Sequence, residues 1–275
     1  AAIAAGLKST GALDLTIIEN LGPNFDAAAV YTSNKVVAAP VIWSREVTKG
    51  KLVRAAVLNS GGANACTGPQ GFADTHKTAE KVGELLGVSA GEVVVCSTGL
   101  IGELLPMEKI LSGLESIATH LKPESLDDVS RAIMTTDSVP KVATTSVNGA
   151  EFAGIAKGAG MLAPALATML SVVMTDAILP ADAQEIFTRV TDRTYNRIDS
   201  DGCTSTNDTV LLMGSGASGV SLSESELEGA LMDVCGSLAS QLIADAEGST
   251  KTVAITIKGA VTESEAVEVA RACAR

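Results

Sequence analysis

Short, mostly apolar runs alternate with helical patterns along the whole chain, and this alternation constrains the fold more than any other feature. Residues 54–58 (RAAVL), 92–96 (EVVVC) and 209–213 (TVLLM) are typical of buried strands. Apolar residues at helical spacing follow at 78–86 and again after residue 223. The sequence therefore predicts a mixed α and β protein.

Two capping boxes mark the starts of helices near the end of the chain. Ser223 with Glu226 opens a long helix, and Thr262 with Glu265 opens a final one. Between them, residues 252–261 alternate polar and apolar side chains, which predicts a strand. Because the chain stops directly after the last helix, we expect a C-terminal part to be missing.

Composition and charge argue against several classes of function. Lys and Arg total 20 against 32 Asp and Glu, a formal net charge of −12, which disfavours nucleic-acid or membrane-surface partners. No apolar stretch approaches the roughly 20 residues that a membrane span needs. The five cysteines are far apart and form no CxxC, so we expect reduced, mostly buried thiols in a cytoplasmic protein.

The two histidines, His76 and His120, both lie in polar, helical surroundings and are typical of a surface or a helix end. A zinc site of histidines or a Ser-His-Asp triad is therefore difficult to build, and we expect no metal. If the protein is an enzyme, its base is expected to be a group other than imidazole.

Residues 214–219 (GSGASG) match the GxGxxG pattern of dinucleotide-binding loops. In that motif the third glycine opens a helix, whereas the next helix here is capped four residues later, at Ser223. A glycine-rich turn is the better interpretation, and nucleotide binding is the weaker one.

The most informative stretch is residues 157–170 (KGAGMLAPALATML). Lys157 lies beside a glycine turn, where the backbone can approach an anionic ligand closely. Thr168 is an isolated hydroxyl between apolar runs, which is typical of a half-buried strand. It could instead be a nucleophile activated by its own α-amine, if the bond after Ala167 were cut.

Two polar loops border predicted strands: one follows the strand at 54–58, and the other precedes the strand at 209–213. Asn59, Ser60 and Asn64 come after the first strand, and residues 201–208 contain the sequence STND. Loops of this composition usually satisfy their own backbone groups, so we expect no catalytic residue in either.

The stretch KGAGMLAPALATML resembles the self-processing segment of the ornithine acetyltransferase family, the glutamate N-acetyltransferases of arginine biosynthesis. Other blocks extend the resemblance over essentially the whole chain, in order: SNKVVAAPV, LNSGGANACTG, CSTGLIGELLPM, AIMTTDSVPK, STNDTVLLMGSGASG and ADAEGSTK. The resemblance implies layered sheets between helices, the architecture shared with self-cleaving aminopeptidases.

The resemblance also implies a mechanism. A precursor cleaves itself between Ala167 and Thr168, which divides the sequence into an α chain region (1–167) and a β chain region (168–275). Thr168 is then the nucleophile of a ping-pong reaction that exchanges acetyl between ornithine and glutamate. Its freed α-amine, which titrates near pH ~8, is a plausible base.

Further positions of the family's site match this sequence. The resemblance implies that Thr98 and Gly99, in the turn after EVVVC, form the oxyanion hole. It also implies that four residues bind substrate: Thr135, Lys157, Thr168 and Glu247. Glu247 would hold the ammonium of ornithine. From the residues alone, CSTG is a simple turn and Glu247 a solvated acid at a helix end.

The implied ligands are N-acetylornithine, ornithine, glutamate and N-acetylglutamate, with no cofactor and with acetyl-CoA as a possible co-substrate. The implied protein partners are the α and β chains of its own precursor, in a larger homo-assembly. Two alternatives remain open: a self-processed N-terminal-nucleophile amidohydrolase or aminopeptidase, and a non-catalytic amino-acid-binding protein.

Overall fold

Two sheets lie at the centre of the structure, a computed structural model that describes residues 1–122, 126–162 and 169–275. The first sheet has the order β1 (Ala2–Ile3), β2 (Leu15–Glu19), β4 (Ala55–Gly62) and β5 (Val93–Leu100). The second has the order β3 (Ala27–Tyr31), β9 (Thr209–Gly214), β8 (Leu170–Thr175), β7 (Ala150–Lys157) and β6 (Lys141–Val147). Strands β4 and β5 are parallel, as are β8 and β9, and the other pairs are antiparallel.

Seven α-helices are described, and four of them cover the outer faces of the two sheets. The helices are α1 (Ala39–Thr48), α2 (Gly68–Leu86), α3 (Met107–Ala118), α4 (Leu126–Ala132), α5 (Ala183–Arg193), α6 (Glu224–Ala244) and α7 (Glu263–Ala274). One apolar core lies between the first sheet and α2 and α3, another between the two sheets, and another between the second sheet and α5 and α6. The layers are therefore helices, sheet, sheet and helices, which confirms the mixed α/β fold with layered sheets.

Strand β4 shows why these strands appear as unbroken apolar runs. Ala55 and Val57 belong to the core beneath α2 and α3, whereas Ala56 and Leu58 belong to the core between the sheets. Successive side chains of a strand point to opposite faces, so a strand covered on both sides needs apolar residues at every position. The predicted strands at 54–58, 92–96 and 209–213 are confirmed as parts of β4, β5 and β9.

Both predicted capping boxes are formed. The hydroxyl of Ser223 accepts from the backbone N–H of Glu226 at the start of α6, and Thr262 does the same with Glu265 at the start of α7. The glycine-rich run 214–219 ends β9 and forms a turn, with α6 beginning only at Glu224. The helix start that a dinucleotide-binding loop requires is therefore not next to these glycines.

The strand predicted at 252–261 is wrong. These residues have no regular secondary structure and pair with no strand of the described chain, and nearly all of them are exposed. A strand needs a partner with free backbone groups as well as alternating side chains. The alternating residues Val253, Ile255 and Ile257 instead line a shallow cleft beside α7.

The expectation that most cysteines are buried is also wrong. Cys96 and Cys235 are buried, and burial raises the pKa of each thiol to about 12, but Cys66, Cys203 and Cys273 are exposed. All five are free thiols, as expected.

The two histidines agree with the sequence prediction, since His76 is exposed on α2 and His120 is exposed just after α3. Among the described residues, no helix has the length and apolar character needed to cross a membrane.

Two glycines give a test of the packing between the second sheet and α6. A methyl group at Gly154 would lie 2.6 Å from Val234 Cγ1 and 2.9 Å from Leu238 Cδ1, so Gly154→Ala should lower the free energy of unfolding by about 1–3 kcal/mol. Gly229, in α6, has no atom within 4 Å of its missing Cβ, and Gly229→Ala should raise the free energy of unfolding by about 0.5–1 kcal/mol. Urea denaturation measures both, and a Gly154→Ala protein as stable as the wild type would contradict the packing.

Candidate active site

A cleft of about 560 Å³ opens where the carboxyl ends of β4 and β5 meet the end of β7. The predicted site residues Thr98, Gly99, Thr135, Lys157 and Glu247 all line it. They come from both sheets, from the loop before β6 and from the segment after α6.

Ala167 and Thr168, the predicted cleavage site and nucleophile, lie outside the described residues. The chain is described again from Met169, and Leu170 is the cross-strand partner of Lys157 in the pair β7 and β8. In the sequence, Thr168 is therefore two residues before Leu170, which pairs with the cleft-lining Lys157.

Thr98 and Gly99 lie within β5 and not in a turn after it, as the sequence had suggested, because the ladder with β4 continues through the pair Gly61 and Gly99. Gly99 has a φ of +130°, and a Cβ there would lie 2.5 Å from the carbonyl carbon of Gly61. Only glycine fits this close approach of two strands. The glycines let the end of β5 bring the Thr98 side chain to the cleft.

Lys157 ends β7, and its side chain is 1% exposed although it lines the cleft. Its Nζ donates to Thr98 Oγ1 at 3.2 Å and lies 4.0 Å from Asp137 Oδ2. Burial lowers the pKa of Lys157 to about 8, although the Asp137 carboxylate favours the charged amine. Because Thr98 accepts from Lys157, its own hydroxyl proton is available to a group in the cleft.

Asp137, which the sequence analysis missed, organises the floor of the cleft. Its side chain is fully buried, and Oδ1 accepts from Lys141 Nζ at 2.7 Å and from the Gly158 backbone N at 2.6 Å. Oδ2 accepts from the Thr135 backbone N at 3.0 Å. Burial alone would raise the pKa of Asp137, but the charges of Lys157 and Lys141 outweigh it and lower the pKa. In the sequence, the only local feature that indicates this ion pair is the spacing of Asp137 and Lys141 in TTDSVPK.

Lys141 extends this network to the end of α6. It is fully buried, and its Nζ donates to Asp245 Oδ2 at 2.6 Å as well as to Asp137. The same oxygen of Asp245 accepts from the Ser138 backbone N at 3.0 Å. The loop that carries Thr135 is therefore fixed to the C-terminal end of α6.

Glu247 follows directly after this end of α6. Its backbone N donates to the Ala159 carbonyl at 2.7 Å, which joins it to the glycine turn after Lys157. A Cβ at Gly160 would lie 2.8 Å from Glu247 Oε2, so the glycine leaves room for the carboxylate at the cleft wall.

Lys8 is a second cation on the cleft that the sequence analysis missed. The buried carboxylate of Asp14 fixes the segment by accepting from the backbone N of Ala5, Leu7 and Lys8 at 2.6, 2.6 and 3.0 Å. Burial lowers the pKa of Lys8, an effect that Asp14 and Asp137 oppose.

The cleft thus combines two lysines and a carboxylate. A zwitterionic amino acid carries groups of both charges, and hydrogen bonds to charged groups are the stronger ones. The cleft can therefore bind carboxylates at the lysines and an ammonium group at Glu247. Among the described residues, no cluster of side chains is suited to hold a metal ion.

Comparisons with known proteins give one family. The family model described as the ArgJ family matches residues 1–275. The arginine biosynthesis bifunctional protein ArgJ of Streptomyces avermitilis is 55% identical over 99% of this chain and 72% of its own length. The protein of the same name from Streptomyces coelicolor is 53% identical over 100% of this chain and 72% of its own.

A solved structure is similar as well. It is ornithine acetyltransferase from Mycobacterium tuberculosis in complex with ornithine, with a TM-score of 0.54 and 47% sequence identity. The match covers 60% of this chain and 89% of that one.

The electrostatics of the cleft predict how Lys157 titrates. The Lys157 amine should be protonated below a midpoint near pH 8 and neutral above it. In Asp137→Asn the midpoint should fall further, because the lost carboxylate favoured the charged form. NMR titration of the Nζ resonance measures this, with the exposed Asp127→Asn as control. An unchanged midpoint in Asp137→Asn would contradict the assigned coupling.

Proposed function

The chain belongs to the ArgJ family, and we propose that it is an acetyltransferase of arginine biosynthesis that exchanges acetyl between ornithine and glutamate through Thr168. The observation that carries the proposal is the convergence of five residues, each matched to the family separately, on one cleft: Thr98, Gly99, Thr135, Lys157 and Glu247. The ornithine-bound relative supports the choice of substrate.

The first step of the proposal is self-cleavage between Ala167 and Thr168, which gives chains 1–167 and 168–275. The second sheet explains how the pieces stay together. Its order places β9 and β8, which follow the cut, between β3 and β7, which precede it. A cut chain is therefore held by two ladders of backbone hydrogen bonds and by the cores on both faces.

Cleavage supplies a base on the same residue as the attacking oxygen. Neither His76 nor His120 lines the cleft. The α-amine of a new N-terminal Thr168 has an ordinary pKa near ~8, so a useful fraction is neutral at physiological pH. This amine takes the proton of the Thr168 hydroxyl as the oxygen attacks the acetyl carbonyl.

The attack produces a tetrahedral intermediate with a negative oxygen. In the proposal, the Thr98 hydroxyl and the Gly99 N–H donate to this oxygen, and the nearby Lys157 cation adds favourable charge. The carbon–nitrogen bond then breaks, and the α-ammonium of Thr168 returns its proton to the leaving amine. The acetyl group remains on Thr168 Oγ1 until the second amine attacks and reverses these steps.

Substrate recognition follows from the charges of the cleft. Lys157 and Lys8 can hold carboxylates, Thr135 can add a hydrogen bond, and Glu247 can hold the side-chain ammonium of ornithine. We propose N-acetylornithine and N-acetylglutamate as acetyl donors, with ornithine and glutamate as acceptors. The curated relatives are named bifunctional, which supports acetyl-CoA as a further acetyl donor for glutamate. We propose no bound cofactor, as the family resemblance implies. We propose further that the cut α and β chains form a larger assembly in the cytoplasm.

Thr168→Ala should abolish both self-cleavage and acetyl transfer, because it removes the attacking oxygen. Thr168→Ser should keep a part of each, since a hydroxyl remains at the same position. Intact-mass spectrometry detects the fragments 1–167 and 168–275, and an ornithine-dependent assay detects transfer. Transfer that persists in Thr168→Ala would remove Thr168 from the mechanism, and donor hydrolysis without transfer to ornithine would indicate an amidohydrolase instead.

Thr98→Ala should lower kcat for acetyl transfer by about 10²-fold or more, because it deletes a donor to the oxyanion. Thr98→Ser is the matched control and should retain most of the activity, since it keeps the hydroxyl. Steady-state kinetics with N-acetylornithine and glutamate measures both variants. Equal rates for wild type and Thr98→Ala would assign the oxyanion donor elsewhere.

A further inference from the structure

We propose that Asn207 and Asp208 are positioning residues that hold the strand after the nucleophile in register with the strand that carries the oxyanion donors. This inference rests on the proposed function of Thr168, Thr98 and Gly99. The composition of the loop around STND predicts that its side chains satisfy the backbone groups of the loop itself. That expectation is wrong for these two residues, whose side chains reach distant segments.

Asn207 joins the two sheets at the cleft end. It is buried, and its Nδ2 donates to the Ser97 carbonyl at 2.9 Å and to the Ala63 carbonyl at 2.6 Å. Ser97 directly precedes Thr98 in β5, and Ala63 directly follows β4. One amide group thus fixes the ends of both parallel strands of the first sheet against the start of β9.

Asp208 makes the equivalent contact on the nucleophile side. Its side chain is fully buried, and its Oδ1 accepts from the Met169 backbone N at 2.8 Å. The Met169 nitrogen is covalently bonded to the carbonyl carbon of Thr168. The Asp208 carboxyl group therefore holds an atom next to the predicted nucleophile.

The second oxygen of Asp208 is also buried. The hydroxyls of Ser205 and Thr32 lie close enough to the Asp208 carboxyl group to lower its pKa, as does the Met169 N–H. Burial outweighs these effects and raises the pKa of Asp208 well above its usual range, which favours the neutral acid and makes asparagine a close substitute.

Together the two adjacent side chains connect the residue before Thr98 with the residue after Thr168. Their backbones are joined by one peptide bond, so a shift of one side of the site relative to the other must break one of these contacts. Reaction rates depend steeply on such placement, since a displacement of about 1 Å can cost about 10²-fold. Neither side chain needs to touch the substrate for this effect.

The test compares Asn207→Ala, Asp208→Ala and Asp208→Asn with two controls at the opposite end of the sheets. The buried amide of Asn20 donates to the Gly214 carbonyl at 3.1 Å, and Asp176 Oδ1 accepts from the Glu151 N at 2.7 Å. Asn20→Ala and Asp176→Ala therefore remove the same kinds of bond away from the cleft. For each variant one measures the self-cleavage rate, the kcat and KM of acetyl transfer, and the Tm.

Asn207→Ala and Asp208→Ala should slow self-cleavage and lower kcat by about 10²-fold, with little change in KM, because orientation is lost and binding is not. Asp208→Asn should recover most of the rate, since its amide oxygen still accepts from Met169. The controls should keep the wild-type kcat even where their Tm falls as far. If kcat falls along with Tm to the same extent in the controls and in the test variants, the proposal is overturned. A change in KM without a change in kcat would also overturn it. If Asp208→Ala does not fold, Asn207→Ala and Asp208→Asn decide the matter.

A second readout separates this inference from the proposed function. In the Thr168→Ala background, NMR hydrogen exchange of the Met169 amide should be slow, and Asp208→Ala should accelerate it while Asp176→Ala should not. A wild-type protein that neither cleaves nor transfers would contradict the proposed function and leave this exchange test intact. A Met169 amide that exchanges equally fast with and without Asp208 would overturn the positioning role.

Discussion

The carboxylate of Asp137 lies between two buried lysines, and the geometry of the cleft depends on it. It binds Lys141 directly, lies near Lys157, and holds the backbone on both sides of the cleft floor through Thr135 and Gly158. Burying an ion is costly unless partners compensate, and removing one partner of a buried pair costs several kcal/mol. The network therefore tolerates few changes, and it fixes the positions of the cleft-lining residues Thr135 and Lys157.

The four-layer architecture explains why this network can exist. Each sheet is covered on both faces, so the cleft can form only where strands end and backbone groups become available. The ends of β4 and β5 supply a neutral wall of glycine backbone with the Thr98 hydroxyl, while the end of β7 supplies the Lys157 cation. The neutral Thr98 hydroxyl and the Lys157 cation thus come from different sheets and meet at the edge of the cleft.

Local features of this fold could be predicted from the sequence, and contacts between distant segments could not. The apolar runs of β4, β5 and β9 and the two capping boxes depend on neighbouring residues only. The strand prediction for 252–261 is wrong because a strand also requires a second strand with which to pair. The family resemblance indicated five residues that line the cleft, whereas Asp137 and Lys8 come to it through contacts with distant residues, which no local pattern shows. The hydrogen bond between Asn207 and Ser97 is a further example, because it joins residues that are 110 positions apart in the sequence.

We propose that an acetyl group passes through Thr168 in this cleft. The most direct measurement is to incubate the purified protein with N-acetylglutamate or N-acetylornithine, quench it in acid, and locate added acetyl by peptide mass spectrometry. We expect one acetyl group on the peptide that begins with Thr168, and we expect it to be lost when ornithine is added before quenching. Acetyl on another residue such as Lys157, or none on any peptide while transfer to ornithine proceeds, would contradict this proposal.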